Sequence, residues 1–122
     1  MTWSRHRLHT VDEFRAVSRG GVRSARSHVV VHLALLPQDE AAPRVGFVVS
    51  RRVGNSVVRN LVTRRMREIV RPHLAVLDPG TAIVLRALPG IQDQPFAELR
   101  ADVDAALASA RRKLARRGEG SR

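Results

Sequence analysis

The stretch that decides the fold of this chain is VGFVVSRRVGNSVVRNLVTRRMREIVR, residues 45–71. It begins as a run of apolar and β-branched residues that is typical of a buried strand. It breaks at Gly54-Asn55 and continues as a predicted helix, residues 56–71, that carries five arginines. Dense positive charge directly behind a strand, in a chain of 122 residues, indicates that this helix does more than cover a core.

The predicted helix has an apolar side and a basic side. At about 100° per residue, the apolar side collects Val58, Leu61, Val62, Met66 and Ile69. The opposite side collects Asn60, Thr63, Arg64, Arg67 and Arg71, with Arg59 at the boundary. Arg65 falls within the apolar arc, where its stem can pack while its head group reaches solvent.

The basic side has almost no acidic compensation. Its only favourable pair at i,i+4 spacing is Arg64–Glu68, whereas Arg67 and Arg71 repel each other at the same spacing. A helix that keeps this repulsion is expected to have a partner that cancels it. We therefore predict that the basic side binds a polyanion, with a merely solvated face as the alternative.

The strand before the helix adds a second expected surface. Side chains alternate between the two faces of a strand, so one face receives Phe47 and Val49, and the other receives Gly46, Val48 and Ser50. Arg51 and Arg52 then form a basic rim. A sheet face beside such a rim can hold an extended single strand of nucleic acid, because aromatic rings stack on bases and cations contact the backbone.

Outside this stretch the pattern predicts one domain with the element order α-β-β-β-α-β-α. Thr10 and Glu13 have capping-box spacing, and a short helix follows as far as Gly20-Gly21. Strands are predicted weakly near 22–26, and then at 27–36, 44–51 and 81–88. A last helix is predicted after Asp93-Gln94-Pro95, and a flexible basic tail from about 115 to 122. Strand 81–88 is predicted to pair parallel to 28–36 or 44–51, with helix 56–71 as the crossover.

Composition limits the possible functions. The chain has no cysteine, which excludes a disulfide framework, a thiolate zinc site and a thiol nucleophile. No apolar run approaches the roughly 20 residues of a membrane helix, and the first residues lack the apolar core of a signal peptide. A cytoplasmic protein without a membrane partner is therefore expected.

Charge indicates the kind of partner. The formal net charge is +11, and residues 44–71 carry eight arginines against Glu68 alone. Both ends of the chain are also basic, while 29–43 and 72–110 are net acidic. Such a field favours a nucleic acid. A metal-dependent nuclease site is not expected, because the acids are scattered and because His6 and His9, although three residues apart, have no further ligands nearby in sequence.

The stretch RVGFVVSRRVGNSVVRN, with RRMRE after it, resembles the protein subunit of bacterial ribonuclease P. Members of that family typically carry a strand VGxxVSKK, then GNAVxRN, then an arginine-rich helix. The counterparts here are residues 45–52, residues 54–60, and Arg64, Arg65 and Arg67. The resemblance extends to RLHTVDEFRAV in the first helix and to TAIVLRAL in the last strand, and it covers the chain to about Leu114.

This resemblance implies a fold, a function and partners. The fold is an α+β two-layer sandwich with a mixed sheet and a left-handed βαβ crossover through the basic helix, against the usual right-handed rule. The family's holoenzyme removes the 5′ leader from precursor tRNA. The catalytic RNA holds the magnesium ions, while the protein supplies no catalytic residue and binds no cofactor itself. The implied partners are the catalytic RNA and precursor tRNA, not DNA.

The resemblance also implies two sets of site residues. The set facing RNA comprises Arg51, Arg52, Asn55, Arg59, Asn60, Arg64, Arg65, Arg67 and Arg71. A cleft between the first helix and the sheet receives the single-stranded leader, and its implied residues are Phe14, His32, Phe47 and Ser50.

The chain departs from the family pattern at four positions. Leu61 and Thr63 stand where the family usually has Arg and Lys, and Ser18 and His32 stand where it often has aromatic residues. Leader binding is therefore expected to depend less on stacking and more on charge. The alternatives are a ribosomal-type RNA-binding protein and, third, a sequence-specific DNA-binding protein. A cleavage assay with and without the catalytic RNA separates the first reading from both.

Overall fold

The computed structural model describes residues 7–8, 10–35 and 42–120. The elements, in chain order, are α1 (Val11–Gly20), β1 (Val22–Arg26), β2 (Val29–Leu35), β3 (Arg44–Val48), α2 (Ser56–Leu74), β4 (Thr81–Ala87), a 3₁₀ turn (Ile91–Asp93) and α3 (Phe96–Gly120). The predicted α-β-β-β-α-β-α order is confirmed, including the weak first strand.

The N-terminus of α1 is fixed by the predicted capping box. The Thr10 hydroxyl accepts a hydrogen bond from the Glu13 amide at 3.1 Å, and the Glu13 carboxylate accepts one from the Thr10 amide at 3.0 Å. These bonds satisfy amides that a helix start otherwise leaves unpaired. The same carboxylate forms an ion pair with Arg44, so the cap also ties α1 to the first residue of β3.

The four strands form one mixed sheet in the order β1-β2-β4-β3. β2 pairs antiparallel with β1 and with β4, whereas β3 pairs parallel to β4. The expected parallel pairing of residues 81–88 with residues 44–51 is therefore confirmed, and α2 is the crossover between them.

The handedness of this crossover follows from one hydrogen bond beyond the edge of the sheet. The Leu8 amide donates to the Val45 carbonyl at 3.1 Å, so that carbonyl points away from β4. The Val45 side chain packs in the same core as the buried residues of α2. Viewed from the α2 side with β3 running upward, an L-residue whose side chain faces the viewer directs its carbonyl to the right. β4 therefore lies to the left of β3. A connection that passes on the viewer's side of the sheet and moves to the left is left-handed. This agrees with the expectation and departs from the general right-handed rule.

Helices pack on both faces of the sheet. The larger core lies between the sheet and the pair α2 and α3, and it includes Val31, Leu85, Met66 and Leu107, all nearly inaccessible to solvent. This is the expected two-layer sandwich. On the other face, α1 covers part of the sheet through a smaller cluster: Leu8, Val17, Ala34, Ala82 and Val84.

Two helices extend beyond their predicted ends. α2 continues through Pro72 to Leu74, because Leu74 is buried in the larger core and because His73 bonds Asp104 of α3 at 2.7 Å. α3 continues to Gly120, so the segment predicted to be a tail after Leu114 is helical over most of its length. The cause is that Lys113 donates to the Arg23 carbonyl at 2.7 Å and Arg117 to the Gly20 carbonyl at 2.8 Å.

Candidate nucleic-acid interface

The first candidate surface is the outer side of α2. Val62, Met66, Ile69 and other apolar residues of this helix face the core, which turns the opposite side outward. Asn55 caps the helix, since its side-chain oxygen accepts a hydrogen bond from the Val58 amide at 3.0 Å. This residue was expected to bind RNA, and the structure gives it a role in positioning the helix.

The outer side of α2 contains an open cavity of about 460 Å³. Its lining residues are Val57, Asn60, Leu61, Thr63, Arg64 and Arg67. The expected basic side of the helix is thus present, but Leu61 lines this cavity as well as being partly buried. The two α2 departures from the family pattern, Leu61 and Thr63, therefore both lie at this surface. Each puts a shorter, uncharged side chain where the family usually has a long cationic one.

The arginine that pairs with Glu68 on this helix differs from the expected one. Glu68 lies 3.8 Å from Arg71, three residues later, and both side chains are more than half exposed. The predicted Arg64–Glu68 pair is not formed, and Arg64 makes no hydrogen bond or ion pair with any described residue. An exposed pair of this kind contributes little stability, and Glu68 is the one acid among the five arginines of residues 56–71.

Other arginines at this surface differ in exposure. Arg59 and Arg65 are half-buried, and the Arg59 Nε atom is shielded from solvent without a hydrogen-bond partner in the described structure. A buried unpaired donor is costly unless a partner arrives. Arg51 and Arg52 are exposed in the turn after β3, where the Ser50 hydroxyl accepts a hydrogen bond from the Arg52 amide at 3.3 Å.

The second candidate surface lies on the face of the sheet that α1 partly covers. Phe14 projects from α1 over β3, so close that any side chain at position 46 would collide with its ring. Gly46 therefore allows the partly buried Phe14 to rest on the strand backbone. His32 lies on the same face, two positions from Val30 on β2. Phe14 and His32 accordingly share this face, whereas the exposed Ser50 lies in the turn after β3.

Phe47 does not share this face, and its assignment to the leader cleft is wrong. Its side chain packs against the larger core together with Val45, between the sheet and the α2–α3 layer. The alternation of side chains along β3 requires this, because Gly46 and Val48 take the cleft side.

Two cationic residues on the cleft face were missed from the sequence. Arg23 on β1 is the cross-strand partner of His32, and Arg86 on β4 is the partner of Val30. Both arginines are exposed. Strand alternation alone does not indicate that they flank His32, because their proximity depends on the order and register of three strands.

The His32 side chain is only 7 % exposed, and neither of its ring nitrogens has a hydrogen-bond partner in the described structure. Burial lowers the pKa of this imidazole below its usual 6.5, and the positive charges of Arg86 and Arg23 lower it further. The ring is therefore neutral near pH 7, and both of its nitrogens are shielded from solvent.

The pKa of His32 predicts a pH dependence of stability. The unfolded chain binds a proton at this ring more readily than the folded protein does, so the free energy of unfolding should fall as the pH drops below about 6.5. The His32→Phe variant should lose this contribution and show a flatter profile between neutral and mildly acidic pH. Urea unfolding across that range checks it; superimposable profiles for the two proteins would contradict it.

The described residues contain no group of three or more His, Asp or Glu side chains placed to hold a metal ion. His6 and His9 lie outside the described residues. No helix in the described part of the chain is long and apolar enough to cross a membrane.

A mixed four-stranded sheet with a basic helix on one side, and on the other a face that α1 partly covers and two exposed arginines flank, defines a small α+β protein with two separate cationic surfaces. The chain belongs to the ribonuclease P protein family, since the family model described as Ribonuclease P matches residues 3–111. The ribonuclease P protein component of Mycobacterium sp. (strain KMS) is 43 % identical over 111 residues, covering 91 % of this chain and 94 % of the relative. That of Acidothermus cellulolyticus is 46 % identical over 101 residues, covering 83 % and 84 %.

Solved structures agree with this assignment. The ribonuclease P protein of Thermotoga maritima superposes with a TM-score of 0.70 at 26 % identity, covering 88 % of this chain and 97 % of that one. The Staphylococcus aureus protein superposes with a TM-score of 0.76, covering 86 % and 94 %, and at 24 % identity this likeness concerns the fold alone.

Proposed function

We propose that this chain binds the catalytic RNA of a cytoplasmic ribonuclease P through the outer side of α2, and binds the 5′ leader of precursor tRNA through the α1 side of the sheet. The observation that supports this proposal is the long arginine-rich face of α2, where residues 56–71 carry five arginines and a single acid, Glu68, in a chain of this family. The partner is RNA rather than DNA.

The two surfaces divide the work. Along α2, Arg64 and its neighbours contact phosphates of the catalytic RNA, and each contact releases counterions. Because α2 is fixed on the core by Met66 and Ile69, these guanidinium groups have limited freedom to lose on binding. Arg51 and Arg52 lie in the turn between β3 and α2 and contact RNA where the two surfaces adjoin.

On the cleft face, the partly buried ring of Phe14 and the neutral ring of His32 contact leader bases. Arg23 and Arg86 contact the leader backbone. With Ser18 in place of an aromatic residue, charge contributes a larger share of leader affinity than stacking does. The protein holds leader nucleotides that lie away from the reacting phosphodiester bond, so their binding energy is used to orient the precursor on the catalytic RNA.

The reaction itself belongs to the RNA subunit in this proposal. Magnesium ions, which that RNA rather than any residue of this chain would hold, would supply the Lewis-acid chemistry of the hydrolysis. The protein contributes no catalytic residue and no cofactor, and acts through positioning and through neutralisation of phosphate charge.

Affinity for the catalytic RNA tests this proposal against a ribosomal-type RNA-binding role. At one fixed salt concentration, the protein should bind its own organism's ribonuclease P RNA at least about tenfold more tightly than a folded ribosomal RNA fragment of equal length, because non-specific phosphate contacts are common to both. A competition assay with both RNAs measures the ratio. Equal affinity, or preference for the ribosomal fragment, would favour the ribosomal-type alternative.

A further inference from the structure

We propose that the free edge of β1, with the last turns of α1 and α3, is a third cationic surface that binds the phosphate backbone of leader nucleotides upstream of those in the cleft. We call it the β1-edge surface and define it by Arg19, Arg23, Lys113, Arg116 and Arg117. The inference rests on the proposed binding of the leader in the cleft.

Hydrogen bonds hold the three elements of this surface together. Lys113 of α3 donates to the carbonyl of Arg23 on β1 at 2.7 Å. Arg117, one turn later, donates to the carbonyl of Gly20 at the end of α1 at 2.8 Å. Arg19 lies in that last turn of α1, and Arg116 lies three residues after Lys113 on the same flank of α3. Lys113 and Arg117 thus join the three elements at one edge of the sheet, and Arg19, Arg23 and Arg116 lie on the same elements within three residues of these contacts.

Among the side chains that the structure describes on α1 and α3, the acidic ones are remote from this edge; in the sequence, Glu119 follows Arg117 by two residues. On α1 the acids Asp12 and Glu13 occupy the first turn, at the opposite end from Arg19. On α3, Asp102 bonds Gln94 and Asp104 bonds His73, both well before Lys113 in sequence. Arg19, Arg23 and Arg116 make no ion pair with a described carboxylate. Favourable placement of cations at helix C-termini accounts for part of this pattern, but not for the basic residue on β1.

Arg23 connects the β1-edge surface to the cleft. Its side chain belongs to the cleft face, directly across from His32, while its carbonyl is part of the edge that Lys113 covers. A nucleic-acid strand that crosses the cleft face from β3 over β4 and β2 must leave it over β1, where these cations lie.

The direction of the strand follows from the proposed function. The leader joins the tRNA at the cleavage site, which is next to the catalytic RNA and therefore on the side of β3 and α2. Nucleotides farther toward the 5′ end then lie toward β1. Crossing from β3 to β1 covers three strand spacings, about 14 Å, which accommodates only a few nucleotides. Longer leaders must extend beyond the sheet onto the β1-edge surface.

The test uses the reconstituted holoenzyme and precursor tRNAs with no leader, a leader of about four nucleotides, or one of about twelve, a range that matches typical single-strand site sizes. The variant is Arg19→Gln/Arg116→Gln, which removes two exposed charges that form no described ion pair. The control is Arg100→Gln/Arg111→Gln, two exposed arginines on the other flank of α3; it also removes the exposed Arg100–Asp104 pair at 4.0 Å, which contributes little stability.

The wild type and the control should bind the long-leader substrate more tightly than the short-leader one. The Arg19→Gln/Arg116→Gln variant should lose about tenfold for the long leader, with a salt slope lower by about 1.4, because each single-strand phosphate contact contributes about 0.7. Its affinity for the short leader and for the catalytic RNA should be unchanged.

Two results would overturn the inference. If the wild type binds a short-leader substrate more tightly than one with no leader, but gains no affinity from the long leader, leader binding in the cleft is supported. In that case the β1-edge surface does not bind upstream nucleotides. Equal weakening of short and long leaders in the variant has the same meaning. Indifference of the wild-type holoenzyme to the presence of any leader would instead refute the proposed cleft, and this inference with it.

Discussion

Purified protein should leave precursor tRNA intact under every metal condition, and addition of the catalytic RNA at physiological magnesium should restore cleavage at the mature 5′ end. A protein that carries out metal-assisted phosphodiester hydrolysis itself needs clustered ligands around the ions, and no such cluster is found among the described residues. Three of the described acids, Glu13, Asp102 and Asp104, instead bond Arg44, Gln94 and His73. The proposed RNA-binding surfaces carry arginines, which stabilise phosphate charge but cannot hold a divalent cation.

This first expectation needs a strict control, because trace nucleases also cut precursor tRNA. Mature tRNA in a parallel reaction reports contaminating activity, since it lacks the 5′ junction. Cleavage at the mature 5′ end by nuclease-free protein alone would refute the assignment of the chemistry to RNA. Cleavage that requires both components supports it, and it also separates this protein from ribosomal-type and DNA-binding alternatives.

Replacement of Arg64 and Arg67 by alanine should weaken binding to the catalytic RNA and flatten its salt dependence by roughly one to two units, since each phosphate contact contributes about 0.7 to 0.9. Both side chains line the open cavity on the outer side of α2. Because alanine is a strong helix former and the buried side of α2 is untouched, the fold of the isolated protein should persist.

Binding of this double variant is best measured across a salt series. The Arg19→Gln/Arg116→Gln variant is a matched control, because it removes the same charge from the opposite edge of the sheet. If the α2 face is merely solvated, the affinity for the catalytic RNA should depend on salt concentration with the same slope in the wild type, the variant and the control. An unchanged slope in the Arg64→Ala/Arg67→Ala protein would show that this face does not meet the catalytic RNA.

The sequence predicted where the helices and strands lie in the chain better than it predicted which of them are neighbours in the fold. Strand alternation in residues 44–51 and helical periodicity in 56–71 are local properties, so β3 and α2 were predicted, although β3 ends at Val48 and α2 at Leu74. The parallel partner of 81–88 was left open between 28–36 and 44–51, and the structure shows the second. The capping box at Thr10 was equally predictable, because both of its bonds join residues three positions apart.

Errors arose where an assignment depended on tertiary placement. Phe47 was included in the cleft because it is aromatic, although its position in β3 directs it to the larger core. Arg23 and Arg86 were missed because only the β1-β2-β4 register brings them to His32. The end of α3 was predicted to be a tail because its bonds reach Gly20 and Arg23, about 90 residues away in the chain.

The left-handed crossover also links RNA binding to the order in which the chain folds. β3 and β4 become neighbours only after the whole of α2 has bridged them, and closing such a long connection costs entropy before the strand contacts return it. Formation of α2, started by its Asn55 cap, shortens that search. We therefore expect the element that carries the arginines also to influence how fast the sheet closes. Substitutions on its inner side should then change how quickly a newly made chain folds, in addition to any effect on the proposed RNA binding.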